Sequence, residues 1–132
     1  MRLTEAEISA FASAAGDANP LHHDREYAAN SQYGGIVASG PHTGALLMGL
    51  VATHFSRFGS MVGLEFTFLF RAAVPADDDL TLEWLVIRVE PKRRGSLVEL
   101  RGRLRTSSGV TAVGAKGKVL VSEAAQGKEA RQ

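Results

Sequence analysis

Three polar side chains in one short segment of this chain have the chemistry to move protons together. Asp17, Asn19 and His22 belong to the run GDANPLH at residues 16–22, which places a carboxylate and an imidazole five positions apart. Pro20 disfavours a helical conformation for the residue before it, so the run is expected to bend. A bend lets both side chains reach one water molecule, as a general acid and a general base must.

A second chemical feature is the run Ser39-Gly40-Pro41, which reads as the start of a helix. Proline fits the first turn of a helix because its missing N–H has no helical partner there. A helix that begins at Gly40 presents an unpaired N–H and the positive end of its dipole, which suit a developing negative charge. One such donor is typically worth about 3 kcal/mol in a transition state. The missing side chain is expected to let a substrate approach closely.

Composition limits the classes of function. The chain has 132 residues, of which 45% are hydrophobic and 22% are charged, as in an ordinary globular protein. We expect one domain over residues 1–122 and a polar C-terminal tail over residues 123–132. The formal net charge of +1 gives no electrostatic reason to expect a nucleic-acid partner.

Several absences narrow the expectation further. The chain has no cysteine, which removes disulfides, thiolate nucleophiles and cysteine-ligated metals. It opens without a cationic leader and apolar run, and its most apolar stretch, residues 44–55, is too short to span a bilayer. The acidic run 77–79 is interpreted as a solvated turn rather than a metal site. We therefore expect a cytoplasmic protein without a membrane partner, a metal or a separate cofactor.

The first half of the chain is predicted to be helical. Thr4 and Glu7 form a capping box, which predicts a helix from about Thr4 to Ala15 that a glycine then ends. A short helix is expected over residues 24–30, and the main helix over residues 40–56. Apolar residues lie around nearly the whole circumference of the main helix, which predicts that it is enclosed.

The second half is predicted to be four strands, because apolar residues there alternate with a period of two. The strands are expected at residues 62–70, 80–89, 97–106 and 110–121, with a turn around 91–95. One long helix followed by four antiparallel strands indicates an α+β protein with a sheet curled around the helix, a hot-dog fold. A generic α+β sandwich fits the same pattern.

Residues 11–50 resemble the MaoC-like dehydratases, the family of (R)-specific enoyl-CoA hydratases. The family signature has an aromatic residue, then Gly-Asp-x-Asn-Pro-Leu-His, and a small residue six positions after the histidine. The matching residues here are Phe11, Gly16, Asp17, Asn19, Pro20, Leu21, His22 and Ala28. The later strands, including the run FRAAVP at 70–75, also look like the family, so the resemblance covers nearly the whole chain.

The resemblance implies a reaction and roles for the residues. The reaction is the reversible addition of water to a trans-2-enoyl-CoA, giving a (3R)-3-hydroxyacyl-CoA, with coenzyme A present only as part of the substrate. Asp17 and His22 are then the acid–base pair, Asn19 orients them, and Gly40 donates to the thioester oxygen. The resemblance also implies a homodimer or higher homo-oligomer with its site at the interface. Further substrate contacts are expected from Ser39, Pro41, His42, Thr43, Arg71, Lys92, Arg93 and Arg94.

Other interpretations remain open on the sequence alone. Taken singly, Asp17 could be a turn cap, His22 a structural histidine, and the basic run 92–94 a solvated hairpin. Ser39 stands where many family members have histidine, and Met48 where some have serine. The alternative functions are a non-catalytic acyl-thioester-binding hot-dog subunit and a hot-dog acyl-CoA thioesterase.

Overall fold

The computed structural model describes residues 1–122, and the predicted tail at 123–132 lies outside the described residues. Three α-helices and a 3₁₀ turn come first along the chain, and four strands follow, as the hydrophobic periodicity predicts. The elements are α1 Glu5–Ala14, the 3₁₀ turn Pro20–His22, α2 Arg25–Ala29, α3 Gly40–Phe55, β1 Met61–Phe70, β2 Thr81–Lys92, β3 Gly95–Arg105 and β4 Thr111–Val121.

The helices begin where side chains can satisfy their free backbone N–H groups. The Thr4 hydroxyl accepts from the Glu7 N–H at 3.1 Å, and the Glu7 carboxylate accepts from the Thr4 N–H at 3.0 Å, which confirms the capping box. Asp24 caps α2 with a single bond, in which its carboxylate accepts from the Tyr27 N–H at 3.0 Å. The predicted helix boundaries are therefore confirmed to within about one residue.

The turn between β2 and β3 is shorter than predicted. The turn expected around 91–95 is present, but Pro91 lies on β2 opposite Ser96, and Arg93 and Arg94 alone form the loop. Pro91 is tolerated there because β2 is an edge strand and needs no second hydrogen-bonded neighbour.

The four strands form one antiparallel sheet in the order β1-β4-β3-β2, and α3 packs on one face of it. Leu47 is buried in a cluster with Leu104 and Val113, and Val51 is buried in a second cluster with Val119. The long helix and the two central strands therefore share most of the core.

Two aromatic rings cover glycines on the neighbouring strand. Trp84 lies opposite Gly102, where a Cβ would come within 2.6 Å of the indole, and Phe66 lies opposite Gly117, where a Cβ would come within 2.7 Å of the ring. The indole N–H also donates to the Leu47 carbonyl of α3 at 2.8 Å. Because Gly102 and Gly117 have no side chains, the two rings can lie close to the sheet. In this position Trp84 also binds α3 through its indole N–H.

The expectation that α3 is enclosed was wrong for a single chain. Met48 is 40% exposed and Leu50 is 42% exposed, on the part of the α3 surface that the sheet leaves uncovered. The edge strand β2 also leaves apolar side chains in solvent, and Leu85 is 68% exposed. One four-stranded sheet covers only one side of a helix, so the apolar circumference of α3 exceeds what this chain can bury.

We expect Gly102→Ala to lower the free energy of unfolding by about 1–3 kcal/mol, because the added methyl group displaces the Trp84 indole. Gly114→Ala is the matched control, since a Cβ at this position of the central strand β4 meets only Arg71 Nε, at 3.8 Å. It should instead stabilise the protein by about 0.5–1 kcal/mol, because alanine is favoured over glycine inside a strand. Urea denaturation of both variants measures the difference, and equal stability of Gly102→Ala and wild type would contradict the packing argument.

Candidate active site

The segment that carries Asp17 starts from a glycine-terminated helix end. Gly16 has φ +75°, a left-handed conformation that glycine adopts without strain. Its N–H donates to the Ser13 carbonyl at 3.0 Å, and the Asp17 N–H donates to the Ala12 carbonyl at 2.8 Å. This pair of bonds is a Schellman motif, which places Asp17 at a defined position immediately after α1.

Two side chains then fold the chain back toward His22. One oxygen of Asp17, Oδ1, accepts from the Asn19 N–H at 3.0 Å, and Asn19 Oδ1 accepts from the Leu21 N–H at 3.1 Å. Asn19 therefore shapes the turn through its own backbone and side chain. The second carboxylate oxygen of Asp17 remains available to face His22.

Asp17 and His22 meet across this turn. The buried His22 ring places Nδ1 2.7 Å from the Val37 carbonyl, which can only accept, so Nδ1 carries the hydrogen. In the neutral ring Nε2 then holds a lone pair, and it lies 3.5 Å from Asp17 Oδ2. The Asp17 side chain is 34% exposed, so a small molecule can reach the pair from solvent.

The residues that hold His22 also lead into α3. The Val37 N–H donates to the Leu21 carbonyl at 3.3 Å, which pairs this segment with the turn that carries Asp17 and His22. On its other side the Ala38 N–H donates to the Val74 carbonyl at 2.9 Å. Residues 36–38 therefore join the turn to the chain that follows β1, and they set the place where α3 begins.

One backbone donor is free at the start of α3. The Ser39 hydroxyl and carbonyl accept from the His42 N–H at 3.3 and 3.1 Å, and the Ser39 carbonyl also accepts from the Thr43 N–H. Pro41 has no N–H to donate. Among the described residues the Gly40 N–H has no hydrogen-bond partner, which leaves it available at the positive end of the helix dipole.

The absence of a side chain at Gly40 has a different reason from the one expected. A Cβ there would come within 3.2 Å of the Phe70 ring, so β1 and not open space occupies that side. Thr43, an expected substrate contact, is buried and donates its hydroxyl to the Gly40 carbonyl at 2.7 Å. Gly40 and Thr43 are thus both needed for local packing at the helix start.

His42 is buried between α1 and α3. Its ring stacks parallel on Phe11 with the centroids 4.3 Å apart, and its Nδ1 is buried without a hydrogen-bond partner among the described residues. Burial lowers the pKa of His42, nearby His22 lowers it further, and Glu7 opposes both effects. The ring is therefore held neutral close to the candidate pair.

The predicted basic contacts lie at two different ends of the sheet. Arg71 directly follows Phe70 and is therefore near the Gly40 end. Leu82 of β2 lies in the same row across the sheet as Phe70. The hairpin at 92–94 begins ten residues further along β2, so it lies roughly 33 Å from Leu82. Within one chain, the hairpin is not brought to the candidate pair.

Sequence reasoning missed His23. Its ring nitrogens lie 2.7 Å from the Asp17 carbonyl and 2.7 Å from the Ser9 hydroxyl of α1. The one sequence feature that pointed to His23 is its position directly after the signature histidine. Its partner Ser9 lies fourteen residues away, so the sequence did not show the contact. Only the packing of α1 against the turn shows what this residue does.

Comparison with known proteins identifies the class to which this fold and site belong. Residues 1–107 match the family described as the MaoC like domain, and the chain belongs to that family. The predicted α+β hot-dog fold is thereby confirmed, and the alternative of a generic α+β sandwich is excluded.

Particular relatives carry hydratase and dehydratase names. The 3-hydroxybutyryl-CoA dehydratase of Methylorubrum extorquens is 29% identical over 92 residues, which cover 70% of this chain and 58% of that protein. The (R)-hydratase of A. caviae involved in PHA biosynthesis superposes with a TM-score of 0.82 and 26% identity, covering 92% of this chain and 89% of that one. The R-hydratase PhaJ1 of Pseudomonas aeruginosa, unliganded, gives 0.81 and 29%, covering 93% and 77%.

Two further findings concern the described part of the chain alone. Over residues 1–122, no helix has both the length and the apolar composition to cross a membrane. In the same range, no three histidine, aspartate or glutamate side chains are grouped so as to hold a metal ion. The expectation that the protein works without a metal or separate cofactor stays a prediction.

The lowered pKa of His42 predicts that the protein loses stability in mild acid. Protonating this ring costs more in the fold than in the unfolded chain, where its pKa is near 6.5. The free energy of unfolding contributed by His42 should be constant above that value and fall as the pH drops below it. Urea denaturation across this range measures the effect.

Two variants isolate this contribution. His42→Leu should remove the decline just below pH 6.5, whereas His54→Leu, at an exposed position, should retain it. Glu7 faces the same ring, but Thr4 lowers the pKa of its carboxyl, so its own loss falls in a more acidic range. His22 is the other titratable neighbour, and a decline that persists in His42→Leu would assign the effect to a group other than His42.

Proposed function

We propose that this protein is an (R)-specific enoyl-CoA hydratase, which reversibly adds water to a trans-2-enoyl-CoA to form a (3R)-3-hydroxyacyl-CoA. The observation that carries the proposal is the Asp17–His22 pair, with Oδ2 and Nε2 3.5 Å apart and partly open to solvent. An imidazole and a carboxylate at this separation can share one water molecule.

The hydrogen bonds around the pair support a position for that water. With Nδ1 donating to Val37, both Nε2 of neutral His22 and Oδ2 of Asp17 are acceptors that face each other. A water molecule that donates one hydrogen to each satisfies both and directs its oxygen lone pairs outward. This is the arrangement needed for attack on C3 of a bound enoyl thioester.

The proposed reaction then moves protons only. As the water oxygen bonds to C3, one member of the pair takes a proton from it, and the C2–C3 π electrons shift toward the thioester carbonyl. The pair returns a proton to C2, so the net addition is one hydrogen and one hydroxyl. The free Gly40 N–H stabilises the negative charge on the thioester oxygen, a contribution of about 3 kcal/mol for such donors.

The relatives support the same reaction class. A 3-hydroxybutyryl-CoA dehydratase and (R)-hydratases are named for this chemistry in its two directions. Ser39, which replaces a histidine common in the family, caps α3 here, so its place is explained by the helix start. Met48, which stands where some family members have serine, is 40% exposed on α3.

The surface of the single chain supports a homodimer. Within residues 1–122, strand β2 pairs with β3 alone, and Leu85, Ile87 and Val89 on this edge are half or more exposed. A long apolar edge strand invites pairing with another strand, and the open side of α3 adds a second uncovered apolar area. A second copy of this chain, paired through β2 about a two-fold axis, covers both.

Such a dimer also gives the basic hairpin a role. Antiparallel pairing near the middle of β2 carries residues 92–94 of the second copy toward the Leu82 end of the first, where Gly40 and Phe70 lie. Lys92, Arg93 and Arg94 then contact the phosphates of coenzyme A across the interface. The site is in this way completed by two subunits.

Hydration of crotonyl-CoA, followed as loss of the enoyl absorbance, tests the reaction. Asp17→Asn should lower kcat by about 10²- to 10⁴-fold, the usual contribution of a positioned acid or base. Asp24→Asn is the matched control, because asparagine also caps helices and the activity should be unchanged. Chiral analysis of the product should find the 3R isomer.

Three outcomes would contradict this function. Absence of wild-type turnover over several enoyl-CoA chain lengths would favour the acyl-thioester-binding subunit. Release of free coenzyme A from a saturated acyl-CoA would instead indicate a thioesterase. Full activity of Asp17→Asn would remove the carboxylate from the mechanism.

Sedimentation velocity tests the dimer. Wild type should sediment as a dimer or a larger assembly, and Ile87→Lys should shift it toward the monomer because like charges then face each other across the axis. Val62→Lys, equally exposed on the opposite edge strand β1, should leave the assembly intact. A wild type that sediments as a monomer would exclude the proposed interface.

A further inference from the structure

We infer that His23 is a positioning residue for Asp17, an inference that rests on the proposed function. Its Nε2 lies 2.7 Å from the Asp17 carbonyl oxygen, and its Nδ1 lies 2.7 Å from the Ser9 hydroxyl. Ser9 belongs to α1, so the imidazole ties the catalytic turn to the helix that precedes it.

The two hydrogen-bond partners of His23 determine which of its ring nitrogens carries the hydrogen. The Asp17 carbonyl can only accept, so Nε2 carries a hydrogen and donates it. In neutral His23 the Nδ1 lone pair then accepts the hydroxyl hydrogen of Ser9. Both ring nitrogens are engaged in this way, which leaves neither available to exchange protons with a substrate.

Among residues 1–122, His23 is the partner of the Asp17 carbonyl, while α1 and the turn hold the other polar groups of Asp17. The Asp17 N–H donates to the Ala12 carbonyl of α1, and Asp17 Oδ1 accepts from the Asn19 N–H. The direction of the carbonyl fixes the ψ angle of Asp17, and with it the path of the chain from Asn19 to His22. The separation of Asp17 Oδ2 from His22 Nε2 therefore depends on the bond from His23.

The consecutive histidines hold opposite sides of the same turn. His22 donates to Val37, in the segment that leads to α3, whereas His23 contacts Ser9 of α1. Their rings meet edge to face, with centroids 6.5 Å apart and planes at 73°. The turn is thus held on two sides, and loss of either histidine bond leaves that side with its backbone bond alone, from Asp17 to Ala12 or from Val37 to Leu21.

Turnover of crotonyl-CoA by three variants tests this role. His23→Leu should lower kcat by about 10- to 100-fold, the cost of a small misplacement of a catalytic group, while KM changes by less than about twofold. His23→Gln should recover most of the rate, because its side-chain N–H can replace the donor to Asp17. His54→Leu, which removes an exposed histidine outside the turn, should match wild type.

Amide hydrogen exchange gives a readout that needs no turnover. The Asn19 N–H, which donates to Asp17 Oδ1, should exchange faster in His23→Leu than in wild type and return toward the wild-type rate in His23→Gln. Thermal unfolding of each variant is measured alongside, and the exchange of buried β3 and β4 amides corrects for any general loss of stability.

The results separate this inference from the proposed function. If wild type hydrates crotonyl-CoA and His23→Leu is as fast, or His23→Gln is no faster than His23→Leu, the positioning role is overturned and the function stands. If wild type does not turn over, the function fails, and the exchange of the Asn19 N–H decides whether His23 holds the turn. Unchanged exchange in His23→Leu overturns the inference in that case.

Discussion

The structure depends on how closely α3 can approach the sheet. Trp84 sets that distance, because its ring lies against the side-chain-free Gly102 while its N–H donates to the Leu47 carbonyl in the middle of the helix. A larger residue on the central strand would lift the ring and the helix together. Since α3 carries the free Gly40 N–H at its start, the depth of the helix also fixes that donor relative to the rest of the molecule.

The candidate site follows from backbone hydrogen bonds more than from side-chain packing. A Schellman end to α1 places Asp17, two side-chain-to-backbone bonds bend the chain, and residues 36–38 hold His22 while they lead into α3. Because each bond fixes a neighbour of the next, the carboxylate, the imidazole and the helix start are coupled in position. A site of this kind is preorganised, and preorganised dipoles contribute strongly to catalysis.

The apolar surfaces that a single chain leaves exposed are close in the fold to parts of the candidate site. The uncovered part of α3 and the apolar edge of β2 lie on elements that also carry the Gly40 N–H or the basic hairpin 92–94. A family member that assembles through them would bury apolar area and complete its substrate-binding surface in one step. In the proposed dimer the second copy covers the apolar circumference of α3, which one chain cannot enclose.

The sequence by itself determined the features that depend on neighbouring residues. The capping box and the glycine end of α1, the strand periodicity and the Asp17–His22 turn each depend on residues within a few positions of one another, so their residue types predict them. Only the tertiary structure decided the strand order, the pairing of Trp84 with Gly102, the contact of His23 with Ser9 and the distance of the hairpin from the site. These depend on segments far apart in the chain, whose approach is set by packing of the whole core and not by any local pattern.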